Sequence, residues 1–220
     1  MLPKRLVLMV EGEGDEKAVP KLVNHFIEKY SAFDTLFVDD KRTFTVRSVS
    51  KLYKKESKCQ EINIVRWLKA APKIVENLGA VLLLLDGDTK NNCVVQFSHD
   101  LAKFVQEQTR AGEIFSFAIV FARQEFESWI LAGHPDFRES MTEIDVEEHP
   151  RDAKGKIREL SKSTYKETVD QPRYAAEIDL DWMLQRTPKV RSFHRLDHAI
   201  SQIIDATRTG NHIVSPCPLE

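Results

Sequence analysis

Val81-Leu82-Leu83-Leu84-Leu85-Asp86-Gly87-Asp88 decides the fold: five apolar residues in a row that stop at a carboxylate. So short an apolar run, with no polar alternation, is the pattern of a strand buried on both faces of a parallel sheet. Arg5 to Val10 has the same character and stops at Glu11, and Ile114 to Ala122 is followed by Glu125 and Glu127. Parallel strands share one direction, so residues just past their carboxyl ends gather along one edge, where ligand sites of open α/β folds lie. The acids are therefore expected to converge. Crowded carboxylates repel one another, so some protonate or a cation neutralises them, and hard divalent ions such as magnesium suit oxygen donors.

Outside these runs the periodicity becomes helical. Val19, Leu22, Val23, Phe26, Ile27 and Tyr30 form one stripe, with Pro20 best accommodated near the helix start. Thr43 to Val49 alternates enough for a second, more exposed strand. Val65, Leu68, Pro72, Val75 and Leu78 mark a helix that Pro72 kinks and Gly79 stops. Phe97, Leu101, Phe104 and Val105 predict a third helix ending near Gly112, and Glu125 to Ala132 a fourth with Phe126, Trp129 and Ile130 turned inward. Alternating strands and helices mark a parallel sheet flanked by helices. The expectation is an α/β domain over residues 1–133 with four mainly parallel strands. Residues 134–218 are polar and punctuated by proline, with helical stretches at 153–162, 178–186 and 193–206, and are expected to pack on that domain as a helical extension. Leu219-Glu220 reads as a vector remnant.

Bulk properties narrow the function. The 220 residues are 42% hydrophobic and 30% charged, ordinary for a globular protein, and the net charge of −2 provides no global field for nucleic acid or anionic membrane. Any polyanion must be met by a local patch. Cys59, Cys93 and Cys217 form neither a disulfide framework nor a zinc spacing and read as reduced thiols of a cytoplasmic protein. The apolar run ending at Val10 is too short for a signal peptide or a membrane span.

Gly12 and Gly14 share the first spacing of a dinucleotide fingerprint, but Lys17 occupies its third small position, and Glu11, Glu13, Asp15 and Glu16 would repel a pyrophosphate. A glutamate after the first strand and D-x-D after a later one, here Glu11 with Asp86 and Asp88, resembles TOPRIM domains, the topoisomerase and primase module shared with OLD-type nucleases. The wider set is similar to an uncharacterised family of small bacterial TOPRIM-like proteins: V-E-G-x-G-D-E at Val10 to Glu16, L-L-D-G-D at Leu84 to Asp88, E-F-E-S-W at Glu125 to Trp129, Val169 to Pro172 and Ser192-Phe193. The resemblance implies a TOPRIM-like, Rossmann-like sheet. It also implies Mg2+ or Mn2+ held by Asp86 and Asp88, and Glu11 as a ligand or general acid/base in phosphodiester chemistry. OLD-type nucleases add acids for a second metal, and Glu125, Glu127, Asp15 and Glu16 are the local candidates.

Blander readings compete. Asp-Gly is a common turn dipeptide, and acids such as Asp15, Glu16, Glu125 and Glu127 are favoured near helix N-termini by the dipole. Their joint position behind separate buried strands favours the acidic metal site. Between Lys41 and Lys58 seven basic residues face one acid, Glu56, and of these Arg47, Lys51, Lys54 and Lys55 are the best candidates for contact with a phosphate backbone. The rival is a solvated basic loop. His194-Arg195-Leu196-Asp197-His198 has the spacing of an H-x-x-E-H zinc motif with aspartate in place of glutamate, and an ordinary surface helix is the stronger reading. The expected function is divalent-metal-dependent phosphodiester cleavage, a nuclease acting on DNA or RNA. The alternative is a catalytically weak metal- or nucleotide-binding module that works with a separate partner ATPase in phage defence.

Overall fold

Strand β1 (Lys4–Val10) is buried from Leu6 to Val10 and is the axis on which the rest is laid down. In the computed structural model, which describes residues 2–56, 60–87 and 93–217, it leads to helix α1 (Glu13–Lys29), strand β2 (Leu36–Val38) and strand β3 (Phe44–Thr45). Helices α2 (Val49–Leu52) and α3 (Asn63–Ile74) come next, then strand β4 (Leu78–Asp86), helix α4 (Val94–Gln108) and strand β5 (Ser116–Ala122). The second half is helical: α5 (Glu127–Gly133), α6 (Pro135–Arg138), α7 (Ala153–Ser161), α8 (Glu167–Ala175), α9 (Leu180–Gln185) and α10 (Arg191–Thr209), before a last short strand, β6 (Val214–Ser215).

Every strand pair is parallel, in the order β2-β1-β4-β5-β6, with β3 also on β1. The expected parallel, helix-flanked α/β sheet is thus present, with six strands rather than four. The two extra strands, β2 and β6, span three and two residues, too short to display a period. Of the strand expected over 43–49, only Phe44–Thr45 is regular. Beyond it the N–H groups of Val46 and Arg47 still donate to the carbonyls of Val10 and Glu11, and Arg47 then turns into the left-handed region at φ 68°.

Helix boundaries differ from the sequence reading, most clearly at Pro20 and Gly79. Helix α1 begins at Glu13, so Pro20 lies inside it; Glu13, Asp15 and Glu16 fill the first turn, where the helix dipole favours acids. Gly79 does not end a helix. It lies in β4 at a register shift between Arg5 and Leu6, where an added Cβ would stand 2.5 Å from that of Lys4.

Alternation along the strands feeds two cores. Leu8, Leu82 and Val120 point to the face covered by α1, α5 and α10, whereas Val7, Leu83 and Phe117 point to the face covered by α3 and α4. The first core runs without a break from Leu6 to Ile204, so residues after 133 share the core of residues before it. Phe193 of α10 is the joint, its ring 5.4 Å from Phe26 of α1 and 5.5 Å from Trp129 of α5. Among the described residues no helix is long and apolar enough to cross a membrane.

Removing that joint tests the single core. Phe193→Ala is expected to cost about 3–5 kcal/mol. In urea unfolding followed by both tryptophan fluorescence and circular dichroism, the midpoint should fall and the two signals should still coincide. Separate transitions would mean that the second half folds on its own.

Candidate acidic site at the carboxyl edge

Glu11 leaves the end of β1 one residue beyond Val10, which is in register with Leu84 of β4. Its Oε2 can therefore accept the N–H of Asp86 across the strand pair, at 3.2 Å. Asp86 in turn is opposite Ala122 of β5, and its Oδ1 accepts the N–H of Phe126 just past that strand, at 3.0 Å. Gly87 makes this closeness possible. Its N–H donates to the carbonyls of Ala122 and Gln124, and a Cβ there would stand 2.5 Å from the Arg123 carbonyl oxygen.

The other acids are gathered around Asp86 by the helices. Asp15, 9% exposed, accepts the N–H of Gly12 at 2.9 Å and the Nε2–H of Gln171 at 2.7 Å. Glu127, 1% exposed, accepts the hydroxyl of Tyr165 at 2.9 Å. Glu125 accepts the backbone N–H of Lys154, at the start of α7, at 3.1 Å. The Lys154 ammonium lies 3.7 Å from Glu125, 3.9 Å from Glu127 and 3.2 Å from Glu167. One lysine answers several carboxylates.

These contacts set the electrostatics. Burial, joined by repulsion from Asp15, Glu127 and Glu11, holds the Asp86 carboxyl well above the ordinary carboxylate range, and Lys154 only partly opposes it. Burial also raises Asp15 and Glu125. Glu127 is pushed up to about 7, first by burial, with Lys154 and the Tyr165 hydroxyl pulling the other way. Burial pulls Lys154 down, but Glu127, Glu167 and Glu125 more than offset it, and its pKa is raised.

Of the sequence candidates, Glu11, Asp15, Asp86 and Glu127 are thus coupled, with Glu125 joined to them through Lys154. Glu16 is apart: its carboxylate accepts the Thr45 hydroxyl at 3.1 Å on the wall of an open cavity of about 530 Å³, shared with Glu11, Glu13, Lys17 and Arg47. Asp88 lies outside the described residues. Arg47 faces this cavity, whereas Lys51, Lys54 and Lys55 are exposed on and after α2 and do not line it. Among the described residues His194 and His198 belong to no group that could hold a metal ion, and Asp197 between them accepts the Tyr30 hydroxyl at 2.7 Å and lies 3.6 Å from Lys29. Tyr53, within the basic stretch between Lys41 and Lys58, meets Phe97 edge-on at 6.0 Å.

Sequence reading missed both Tyr165 and Lys154 as site residues. Nothing local to Tyr165 marks it, since its role comes from the packing of the segment before α8. Gln171 was visible only as a member of the Val169 to Pro172 motif.

Among the described residues, no three side chains of His, Cys, Asp and Glu stand in an arrangement that would hold a metal ion. The donor chemistry still suits a hard divalent ion: buried carboxylate oxygens, with a repulsion around Asp86 that a cation would relieve.

The raised acids predict a pH dependence. Glu127 binds its proton more tightly folded, at about 7, than at the ordinary 4.5. Between those values the native state holds more protons than the unfolded chain, so its contribution to stability falls as pH rises through that window and stays lost above it. In EDTA, Glu127→Gln should flatten the fall in Tm between pH 5 and 8. At pH 8 it should raise Tm by about 2–4 °C for each kcal/mol of charge-burial cost removed. An unchanged slope in thermal melts would show that Glu127 does not titrate there.

The family described as Domain of unknown function (DUF4276) matches residues 10–196, from the last residue of β1 into the first turns of α10. Neither a curated protein nor a solved structure matches the chain.

Proposed function

Because this chain belongs to the DUF4276 family and gathers repelling carboxylates where parallel strands end, we propose that it is a magnesium- or manganese-dependent phosphodiesterase acting on nucleic acid. The observation that carries this reading is Asp86, a buried carboxylate hydrogen-bonded to two strand ends and raised by three neighbouring acids. Such repulsion costs stability, and a cation-dependent site gives it a use. The resemblance of Glu11, Asp86 and Asp88 to the TOPRIM pattern supports the same choice.

In this reading Glu11 and Asp86 hold the ion, together with Asp88 beyond the described residues. A bound ion would polarise a phosphoryl oxygen and lower the pKa of a water molecule. The chain's own groups do the rest. The N–H groups of Asp86 and Phe126 fix the Glu11 and Asp86 carboxylates in place. Arg47 and Lys17, on the cavity wall beside Glu11, offer cations to phosphates, and Lys51, Lys54 and Lys55 extend the basic surface outward. Glu127, titrating near 7, can hold or release a proton at neutral pH.

Incubation of the purified chain with mixed DNA and RNA substrates and Mg2+ or Mn2+ tests this. Cleavage should fall about a thousandfold in Asp86→Ala and Glu11→Ala, the scale of several kcal/mol of lost transition-state stabilisation. Arg47→Ala should weaken substrate binding and reduce its salt slope by about 1. An Asp86→Ala protein as active as the wild type would refute the assignment. No cleavage by the wild type, with Mn2+ still raising its Tm through Asp86, would favour the module that works with a partner ATPase.

A further inference from the structure

We propose that a second cavity, of about 950 Å³, between α4, the exit of β5, α10 and residues 215–217, binds a small molecule carrying one anionic group on an apolar body, with Arg195 as the anion's anchor. The proposal does not rest on the phosphodiesterase reading, since none of the acids around Asp86 lines this cavity.

Its floor is apolar. Ile119 and Phe121 project from β5 on the α4 side of the sheet, and Val94 and Val95 of α4 continue the surface. Val95 is 61% exposed, at the mouth. A volume near 950 Å³ falls within the roughly 300–1,000 Å³ of small-molecule sites, which combine apolar walls with a few convergent polar groups.

The polar side carries a charge imbalance. Arg123 pairs with Glu148 at 3.4 Å, and Arg191 pairs with Glu147 at 3.1 Å. Arg195 has no such partner: among the described residues no carboxylate comes within ion-pairing distance, and its pKa is lowered by burial alone. Its Nη2 donates to the Ser215 hydroxyl at 2.7 Å, and that hydroxyl donates to Gln202 Oε1 at 2.7 Å. This relay orients one edge of the guanidinium and leaves other donors of its planar fork unspent. A partly buried guanidinium without an acid is costly, and a carboxylate or phosphate accepting two parallel N–H bonds is the partner its geometry matches. Ser98, His99 and His198 add polar groups beside it.

The probe is 8-anilinonaphthalene-1-sulfonate, an anion on an aromatic body, titrated by fluorescence into the full chain. Saturable binding is expected, weakened about tenfold or more in Arg195→Met, the scale of one lost charge-assisted interaction. Val95→Glu puts a negative charge at the exposed mouth without touching the core and should weaken binding several-fold at unchanged Tm. It decides the question if Arg195→Met fails to fold. Displacement of the probe by phenyl phosphate identifies a phosphate site, and displacement by benzoate a carboxylate site. No saturable binding, displacement by neither competitor, or equal binding by the wild type and Val95→Glu overturns the proposal.

Discussion

Carboxylates are brought together here by strand direction. Because β1, β3, β4 and β5 all run the same way, their carboxyl ends are delivered to one edge, and the residues at or just past the ends of β1, β4 and β5 include Glu11, Asp86 and Glu125. The hydrogen-bond ladder fixes the spacing: Asp86 donates its N–H to Glu11 and accepts the Phe126 N–H, so it cannot withdraw from its neighbours without breaking contacts on both sides. Gly87 adds to this constraint, since any side chain there would push β4 away from the exit of β5. The repulsion around Asp86 is thus built into the backbone.

The second half of the chain exists in part to hold this arrangement. Lys154 at the start of α7, Tyr165 before α8 and Gln171 within α8 each reach an acid supplied by the first half: Glu125 and Glu127, Glu127, and Asp15. Helices α1 and α8 approach so closely that a Cβ on Gly14 would strike the Gln171 side chain. The result is a set of acids that is oriented but only partly neutralised, with a single lysine shared among Glu125, Glu127 and Glu167. A fully compensated cluster would have settled these groups at ordinary pKa values.

The sheet was legible because buried parallel strands write themselves as unbroken apolar runs, and residues 6–10, 81–85 and 117–122 are such runs. The acids were legible for the same reason, as the residues at which those runs stop. Illegible were features set by tertiary contact: β2 and β6, which are ordered by their neighbours; Gly79, whose role is a close approach to Lys4; and Tyr165, whose partner lies 38 residues away. The charge run between Lys41 and Lys58 could not be resolved by composition either. Among its described basic residues only Arg47 lines the cavity at the acidic edge, and it does so in a left-handed backbone conformation that no pattern announces.

The exit of β5 reaches both the larger cavity and the acidic edge because its backbone bends at Arg123 and Gln124 instead of continuing extended. Arg123 turns to the larger cavity and its partner Glu148, whereas Glu125 turns to Lys154 and the acidic edge. Between them Gln124 donates to the carbonyl of Glu147, whose buried carboxylate accepts the N–H of Ser192 at 2.6 Å and pairs with Arg191 at the start of α10. One short segment therefore links strand end, acidic edge and the arginine-bearing helix. Glu147 holds Gln124, the neighbour of Glu125, through its carbonyl and the first turn of α10 through its carboxylate, whereas Arg195, a turn further along that helix, is oriented separately by Ser215.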